Sequence, residues 1–418
     1  MAGRSPHLVV VGASLAGVRA VESARRAGFT GRITLAGAEA HLPYDRPPLS
    51  KEFLTADELP PPVPLCDPAT LREQLDVDVR LGVAATALDP AGHTVWLGPD
   101  PLPYTRLVVA TGATPRTLPR TQSLAGVCTL RTLEDARHIR AALGTSTRLV
   151  VVGAGFIGSE VASSARQRGA SVTIIEALPG PLRQAVGEEM GGVLSGLHAR
   201  HGTELRCGIA VEHFEGSGRV EAVRLADGTR IGADLVVVGI GVTPNTGWLA
   251  GSGITLGDGV ECDETLQASA PGVYAAGDVA SWPNPVAGAR MRLEHWTIAA
   301  EQGGAAGRNA SDPAGARPYA AVPYFWSDWY GKRIQLAGIA ADADEVTTVA
   351  GHLDGDSFLV LYRRRDRLAA ALGLEQRAQM VRYRLLLSKN TSWSDAMDFA
   401  RSRAAATPDP AAVATRGT

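Results

Sequence analysis

Two stretches of the chain repeat one hydrophobic pattern: a fully apolar run of four, a glycine-spaced turn, then a helical period. Leu8-Val9-Val10-Val11 runs into Gly12-Ala13-Ser14-Leu15-Ala16-Gly17 and a helix to about Ala27, with a strand at Ile33-Thr34-Leu35. Leu149-Val150-Val151-Val152 runs into Gly153-Ala154-Gly155-Phe156-Ile157-Gly158, a helix to about Arg168 and a strand from Val172 to Ile175. Apolar strands alternating with helices belong to parallel sheets covered on both faces. Between the copies come short strands at 94–97 and 106–110, and Thr132 with Asp135 reads as a capping box opening a helix toward Leu143. After about residue 245 the chain returns with Gly272-Val273-Tyr274-Ala275-Ala276-Gly277-Asp278. From about Ala321 the texture changes to aromatic and β-branched strands. Phe358 to Tyr362 and Leu368 to Leu372 read as a hairpin around Arg363-Arg364-Arg365-Asp366-Arg367, with helices from about Gln376 and Ser394.

The pattern predicts an α/β protein of two Rossmann-like dinucleotide-binding units, one inserted in the other. The outer unit is expected at 1–115 and 245–320, the inserted one at 116–244, then a C-terminal α+β domain at 321–403. The tail at 404–418, rich in Ala, Pro and Thr, is expected to be disordered.

Composition narrows the function classes. An apolar fraction of 45% and a charged fraction of 20% are those of a globular protein. A net charge of −2 gives no case for nucleic acid or an anionic membrane. Met1 to His7 is short and polar, and no run approaches the ~18 apolar residues of a membrane span; the expected setting is cytoplasmic. The four cysteines, Cys66, Cys128, Cys207 and Cys262, form no metal-ligand or redox-pair spacing. No metal is expected, and the thiols read as small buried hydrophobes.

A strand, a glycine turn and a helix together make a diphosphate site. The first glycine permits the tight turn, the second lets backbone approach phosphate, and the third lets helix pack on strand. Free N–H groups at the helix start then face the anion. The second copy is complete, with Gly153, Gly155 and Gly158, and Glu176 ends the next strand where a carboxylate takes the ribose hydroxyls. A carboxylate there repels a 2′-phosphate, so NADH is expected over NADPH; Arg183 is the nearest arginine downstream. In the first copy Ser14 replaces the middle glycine, and Glu39 is the candidate ribose acid, although a plain surface role explains one carboxylate nearly as well. Two such units in one chain point to flavin plus nicotinamide.

Several motifs in order resemble the ferredoxin reductases that serve cytochrome P450s and aromatic-ring dioxygenases, within the glutathione-reductase-like superfamily. These are the Gly12–Gly17 turn, His41-Leu42-Pro43-Tyr44-Asp45-Arg46-Pro47-Pro48-Leu49-Ser50-Lys51, Ala110-Thr111-Gly112-Ala113-Thr114-Pro115-Arg116, Ala275-Ala276-Gly277-Asp278-Val279-Ala280, Glu294-His295-Trp296 and Pro323-Tyr324-Phe325-Trp326-Ser327-Asp328. The resemblance, spanning 8 to about 403, implies FAD held by Gly12, Ser14, Leu15, Ala16, Gly17, Glu39, Arg46, Pro47, Ala85, Ala110, Thr111, Gly112, Arg131, Gly277 and Asp278. It implies Trp296 and Trp326 flanking the flavin, and Lys51, one of three lysines in the chain, beside its reactive edge and paired with Glu160. On the NAD side it implies Gly153, Gly155, Ile157, Gly158, Glu160, Glu176, Arg183 and Gly241. Three positions depart from the family: Ser14 sits where some relatives have glycine, Ala38 follows Gly37 where an acid is common, and Trp329 stands where relatives often carry a polar residue, close to the expected flavin face.

The implied chemistry is hydride transfer from NADH to flavin N5, with Lys51 and Glu160 as the catalytic pair. Single electrons then pass to a small acidic two-iron ferredoxin, and through it to a P450 or dioxygenase, in a monomer or homodimer. The segment His41 to Lys51 holds no cysteine, which sets dithiol substrates aside. Arg363, Arg364, Arg365, Arg367, Arg382 and Arg384 are the expected docking face, although a solvated hairpin tip and helix face explains them equally well. Two other readings stay open: a flavoprotein acting directly on oxygen or another small molecule, and a redox-sensing interaction protein similar to apoptosis-inducing factor.

Overall fold

The structure is a computed structural model that describes residues 5–119 and 124–406. The first apolar run forms His7–Val11, the centre of a five-stranded parallel sheet. Its order is Val273–Ala275, Arg106–Val109, His7–Val11, Arg32–Gly37 and Val77–Leu81. The second run forms Arg148–Val152, the centre of another five-stranded parallel sheet, between Ser171–Glu176 and Leu235–Val238, with Glu204–Cys207 and Val127–Cys128 outside. Both central runs are buried on both faces, as continuous Val/Leu sequences require. The strand Val273–Ala275 re-enters the first sheet after the whole of the second, so one unit interrupts the other.

Helix Leu15–Arg26 packs across helix Trp296–Ser311 at a glycine crossing. A Cβ at Gly303 would lie 2.2 Å from Ala16 O, and one at Gly307 would lie 2.1 Å from Ala20 O. Only glycine at these two positions, one turn apart, lets the backbones meet. The capping box forms as expected: Thr132 Oγ1 accepts from Asp135 N and the Asp135 carboxylate from Thr132 N, opening helix Leu133–Ala142.

The C-terminal sheet is antiparallel, in the order Tyr324–Trp329, Lys332–Gly338, Arg367–Leu374, Phe358–Arg364, Glu345–Gly351. Its alternation serves two cores. Leu359 and Leu361 face helices Arg377–Ser388 and Trp393–Ala406. Phe358, Val360 and Tyr362 face the other way, onto Val186, Met190, Leu194 and Leu197 of the inserted unit. Helix Glu188–Arg200 thus covers the open face of a sheet that lies far from it in sequence. Each buried leucine there contributes about 2 kcal/mol. The last helix runs through Ala406, so order continues past the expected start of the tail at Ala404. The remainder of that expectation falls on 407–418, outside the described residues.

Among the described residues no helix is long and apolar enough to cross a membrane. Of the four cysteines only Cys262 is fully buried; Cys66, Cys128 and Cys207 are half-buried, which corrects the expectation of four core thiols. Burial still pushes Cys128 and Cys262 up to about 12, and raises Cys66 and Cys207, so none is a ready thiolate.

Candidate functional site

The two glycine turns differ from an ordinary helix start. Helices Leu15–Arg26 and Phe156–Gln167 begin at Ser14 and Gly155 with no side-chain cap and no acid in the first turn. Their first N–H groups and positive ends are left for an anion. The tight glycines are fixed by contact: a Cβ at Gly17 would lie 1.9 Å from Gly12 O, and at Gly158 2.2 Å from Gly153 O. Gly12 and Gly153 sit at φ +119° and +103°, where a side chain is strained. Gly155 is different. A Cβ there would meet nothing nearer than Gly239 O at 3.9 Å, so the turn stands open where a diphosphate would approach. Gly241, at φ +93°, likewise has open space around it. These residues fit two dinucleotides.

The acids fall at the strand ends. Glu176 accepts from Ala154 N at 2.9 Å and Leu178 N at 2.8 Å, which holds its carboxylate over the second glycine turn. Glu39 accepts from Tyr44 Oη and Arg46 Nη2, each at 2.5 Å. The 82–84 segment leading to Ala85 bonds back to Gly37 and Glu39, through Val83 N and Gly82 N at 3.0 Å each. Ile157, 48% exposed, lies on the rim of the second turn. Arg183 pairs with Glu188 at 2.9 Å.

At the opposite end of the first cradle, Asp278 is buried and paired with Arg131 Nη2 at 2.7 Å. Gly277 N donates to Gln302 Oε1 at 2.9 Å. The chain crosses between units beside this point. Gly112, at φ +66°, turns the strand out, and Asn245 clasps Thr111 through two bonds of 2.9 Å. Arg46 also donates to Arg131 O, tying the Arg46–Pro47 segment to the start of the inserted unit.

Three parts of the chain meet at Glu160. This carboxylate, in the second glycine-turn helix, is 3% exposed. Lys51 Nζ lies 2.7 Å from Oε2, which also accepts from Ser50 Oγ at 2.5 Å. Oε1 accepts from Ser327 Oγ at 2.6 Å and Asp328 N at 3.3 Å, both from the C-terminal sheet. Lys51 Nζ also donates to Pro47 O at 3.1 Å. The loop carrying Lys51 is locked to the inserted unit by Leu54 in that unit's core, Ser164 Oγ on Ser50 O at 2.7 Å, and Arg140 Nη1 on Phe53 O at 3.0 Å. Ser50, Ser327 and Asp328 sat inside the motifs above without an assigned role. A hydroxyl directly before the lysine was the available signal.

Aromatic rings line the neighbouring wall. Trp296 and Trp326 meet edge to face at 5.9 Å, and Trp296 Nε1 donates to Asp45 Oδ1 at 2.7 Å. Tyr324 lies 6.4 Å from Trp326, and the Arg384 guanidinium sits 5.1 Å over the Tyr324 ring. His295 is half-buried with its ring against Phe325, and desolvation lowers its pKa to about 4, so it is neutral. Trp329 corrects the expectation made for it. Strand alternation turns it away from Trp326, to the face of Phe325 and Ser327, where it is 0% exposed and stacked on His198 at 5.0 Å.

The expected docking arginines divide. Arg363 pairs with Glu345 at 3.1 Å and Arg367 donates to Asn390 O at 2.7 Å, so these two brace the hairpin. Arg364 and Arg365 are exposed at its tip. Arg377 and Arg382 are exposed on helix Arg377–Ser388 beside Val381 and Leu385, apolar residues that are 71% and 56% exposed.

Residues 6–303 match the family model described as pyridine nucleotide-disulphide oxidoreductase, and 324–403 match the reductase C-terminal domain. The chain is 39% identical over 355 residues to the ferredoxin–NAD(+) reductase component of the p-cumate 2,3-dioxygenase system of Pseudomonas putida, covering 84% of this chain and 86% of that protein. It is 36% identical over 356 residues to rhodocoxin reductase of Rhodococcus erythropolis, covering 84% and 82%. Its fold superposes on the reductase of a covalent putidaredoxin reductase–putidaredoxin complex with a TM-score of 0.86 at 32% identity, covering 93% and 94% of the two chains.

Proposed function

Since the chain belongs to the pyridine nucleotide-disulphide oxidoreductase family and carries that family's reductase C-terminal domain, we propose that it is an FAD-dependent NADH:ferredoxin reductase. Its partner would be the small iron–sulfur protein of a P450 or ring-hydroxylating oxygenase, in the cytoplasm. The observation that carries this reading is the junction at Glu160. A buried Lys–Glu pair joins the loop of one nucleotide unit to the helix of the other, with no thiol in the 41–51 segment.

FAD, when bound, supplies the hydride acceptor and the means of releasing electrons one at a time. The protein's part is to bind, orient and tune. Gly12, Ser14, Leu15, Ala16 and Gly17 would hold the FAD diphosphate on the first helix start, with Glu39 at the ribose. Ala85 would contact adenine through its backbone, and Asp278 with Arg131 would fix the far end. Arg46, Pro47, Ala110, Thr111, Gly112, Gly277, Trp296 and Trp326 would border the ring. Gly153, Gly155, Ile157, Gly158, Arg183 and Gly241 would seat NADH, and Glu176 would select it over NADPH. Lys51 Nζ presents a positive charge, and Glu160, 2.7 Å away, holds that charge in place.

Anaerobic reduction by NADH followed by mixing with a panel of ferredoxins tests the reading. Oxidation of the reduced flavin by a ferredoxin, with cytochrome c reduced only when that ferredoxin is present, is the expected result. Equal turnover with oxygen or a quinone in its absence overturns it. The burial of Trp329 removes the one observation that favoured a small-molecule acceptor.

An acidic carrier needs a basic approach with an apolar centre. Helix Arg377–Ser388 offers both: Val381 and Leu385 flanked by Arg377, Arg382 and Arg384, with Arg384 leading through Tyr324 to the two tryptophans. Arg382→Glu should raise the KM for ferredoxin about tenfold at low salt, with a smaller effect at high salt and none on flavin reduction by NADH. Steady-state rates against ionic strength would show it.

A further inference from the structure

The Glu160 carboxylate is oriented from the C-terminal sheet by two side chains one pleat apart, Ser327 and Trp329. An indole N–H donates and never accepts. Trp329 Nε1 donates to Ser327 Oγ at 2.8 Å, so the single hydroxyl proton of Ser327 is committed to Glu160 Oε1, 2.6 Å away. Ser327 and Trp329 are both 0% exposed, so no bulk water competes for these bonds. Trp329 is itself braced: its ring stacks on His198, whose Nδ1 lies 2.8 Å from Tyr330 Oη and whose Nε2 lies 3.3 Å from Ser159 Oγ, next to Glu160 in sequence.

We propose that Ser327 and Trp329 are positioning residues of the hydride-transfer step, acting through Glu160 on Lys51. A donor chain from indole to hydroxyl to carboxylate fixes the oxygen geometry that Lys51 Nζ answers. The inference rests on the reading above, in which Lys51 stands beside the flavin. The charged groups around Glu160 are few. Lys51 faces Oε2, and the Asp328 carboxylate is taken up by Arg333 through bonds of 2.7 and 2.8 Å. His198, behind Trp329, is neutral, since burial lowers its pKa to about 4.

Ser327→Ala removes the hydroxyl that fixes Glu160 Oε1 and should slow flavin reduction near neutrality about tenfold. The flavin midpoint potential, read against reference dyes, should fall because the cation is held less well. Trp329→Phe keeps the ring and loses the N–H; it should shift both readouts in the same direction by less. Ser327→Thr keeps the hydroxyl and should restore both. A merely structural role would lower FAD retention and melting temperature without moving the potential. A wild-type protein reduced by NADH, with the Ser327→Ala reduction rate and potential unmoved, overturns this inference alone. A wild-type flavin that NADH does not reduce overturns it together with the proposed function.

Discussion

Replacing Lys51 with methionine is expected to slow flavin reduction by NADH about a hundredfold while FAD stays bound, the size of effect found when one preorganised electrostatic group is removed from a reacting centre. Methionine matches the length of the lysine stem and discards the charge. The fold should survive, because Glu160 retains Ser50 Oγ, Ser327 Oγ and Asp328 N as donors after the ammonium is gone. A buried carboxylate left with three hydrogen bonds is far less costly than one left bare. Stopped-flow reduction under anaerobic conditions, with the FAD content of each preparation measured, separates the two effects. A wild-type rate in Lys51→Met would remove the lysine from the mechanism.

Acidification should destabilise the protein steeply between about pH 6.5 and 4. His198 is buried and His295 half-buried, and desolvation lowers each from 6.5 to about 4; the nearby His201 adds to the effect on His198, and Asp278 opposes it on His295. In the unfolded chain both imidazoles take a proton below about 6.5, whereas the folded state refuses it until about 4. Their neutral burial therefore adds no penalty above pH 6.5, and stability is lost as the pH falls from there. Each group removes about 3 kcal/mol once the pH is below its folded value. Urea unfolding at pH 7.5, 6 and 5 would show the trend. His198→Asn should flatten about half of it, and a pH-independent midpoint would refute the assignment.

How much of this was legible in the chain depended on sequence separation. The glycine turns and the Thr132 capping box are local devices, so their residues predict them directly. The Glu160 junction is not local. Ser50 and Ser327 reach Glu160 across 110 and 167 positions, and Trp296 reaches Asp45 across 251. Apart from the hydroxyl directly before Lys51, nothing in the residue types announces those encounters; motif resemblance supplied Lys51 with Glu160, and the reach of Ser327 to them emerged only from the fold. Trp329 was misread for a different reason. On a strand the side changes at every residue, so knowing that Trp326 faces one way settles Trp329 only once the strand's extent is known. The basic hairpin was read by charge, while the Glu345 carboxylate and the Asn390 carbonyl engage two of its arginines in bracing it.

Helix Glu188–Arg200 belongs by sequence to the inserted unit, yet its leucines complete the core of the C-terminal sheet. Exchanging C-terminal modules among related reductases, to redirect one toward another's carrier, would accordingly strand this helix against a foreign surface. A working chimera would need to graft 188–200 along with 324–403, moving two discontinuous segments as a single heritable block.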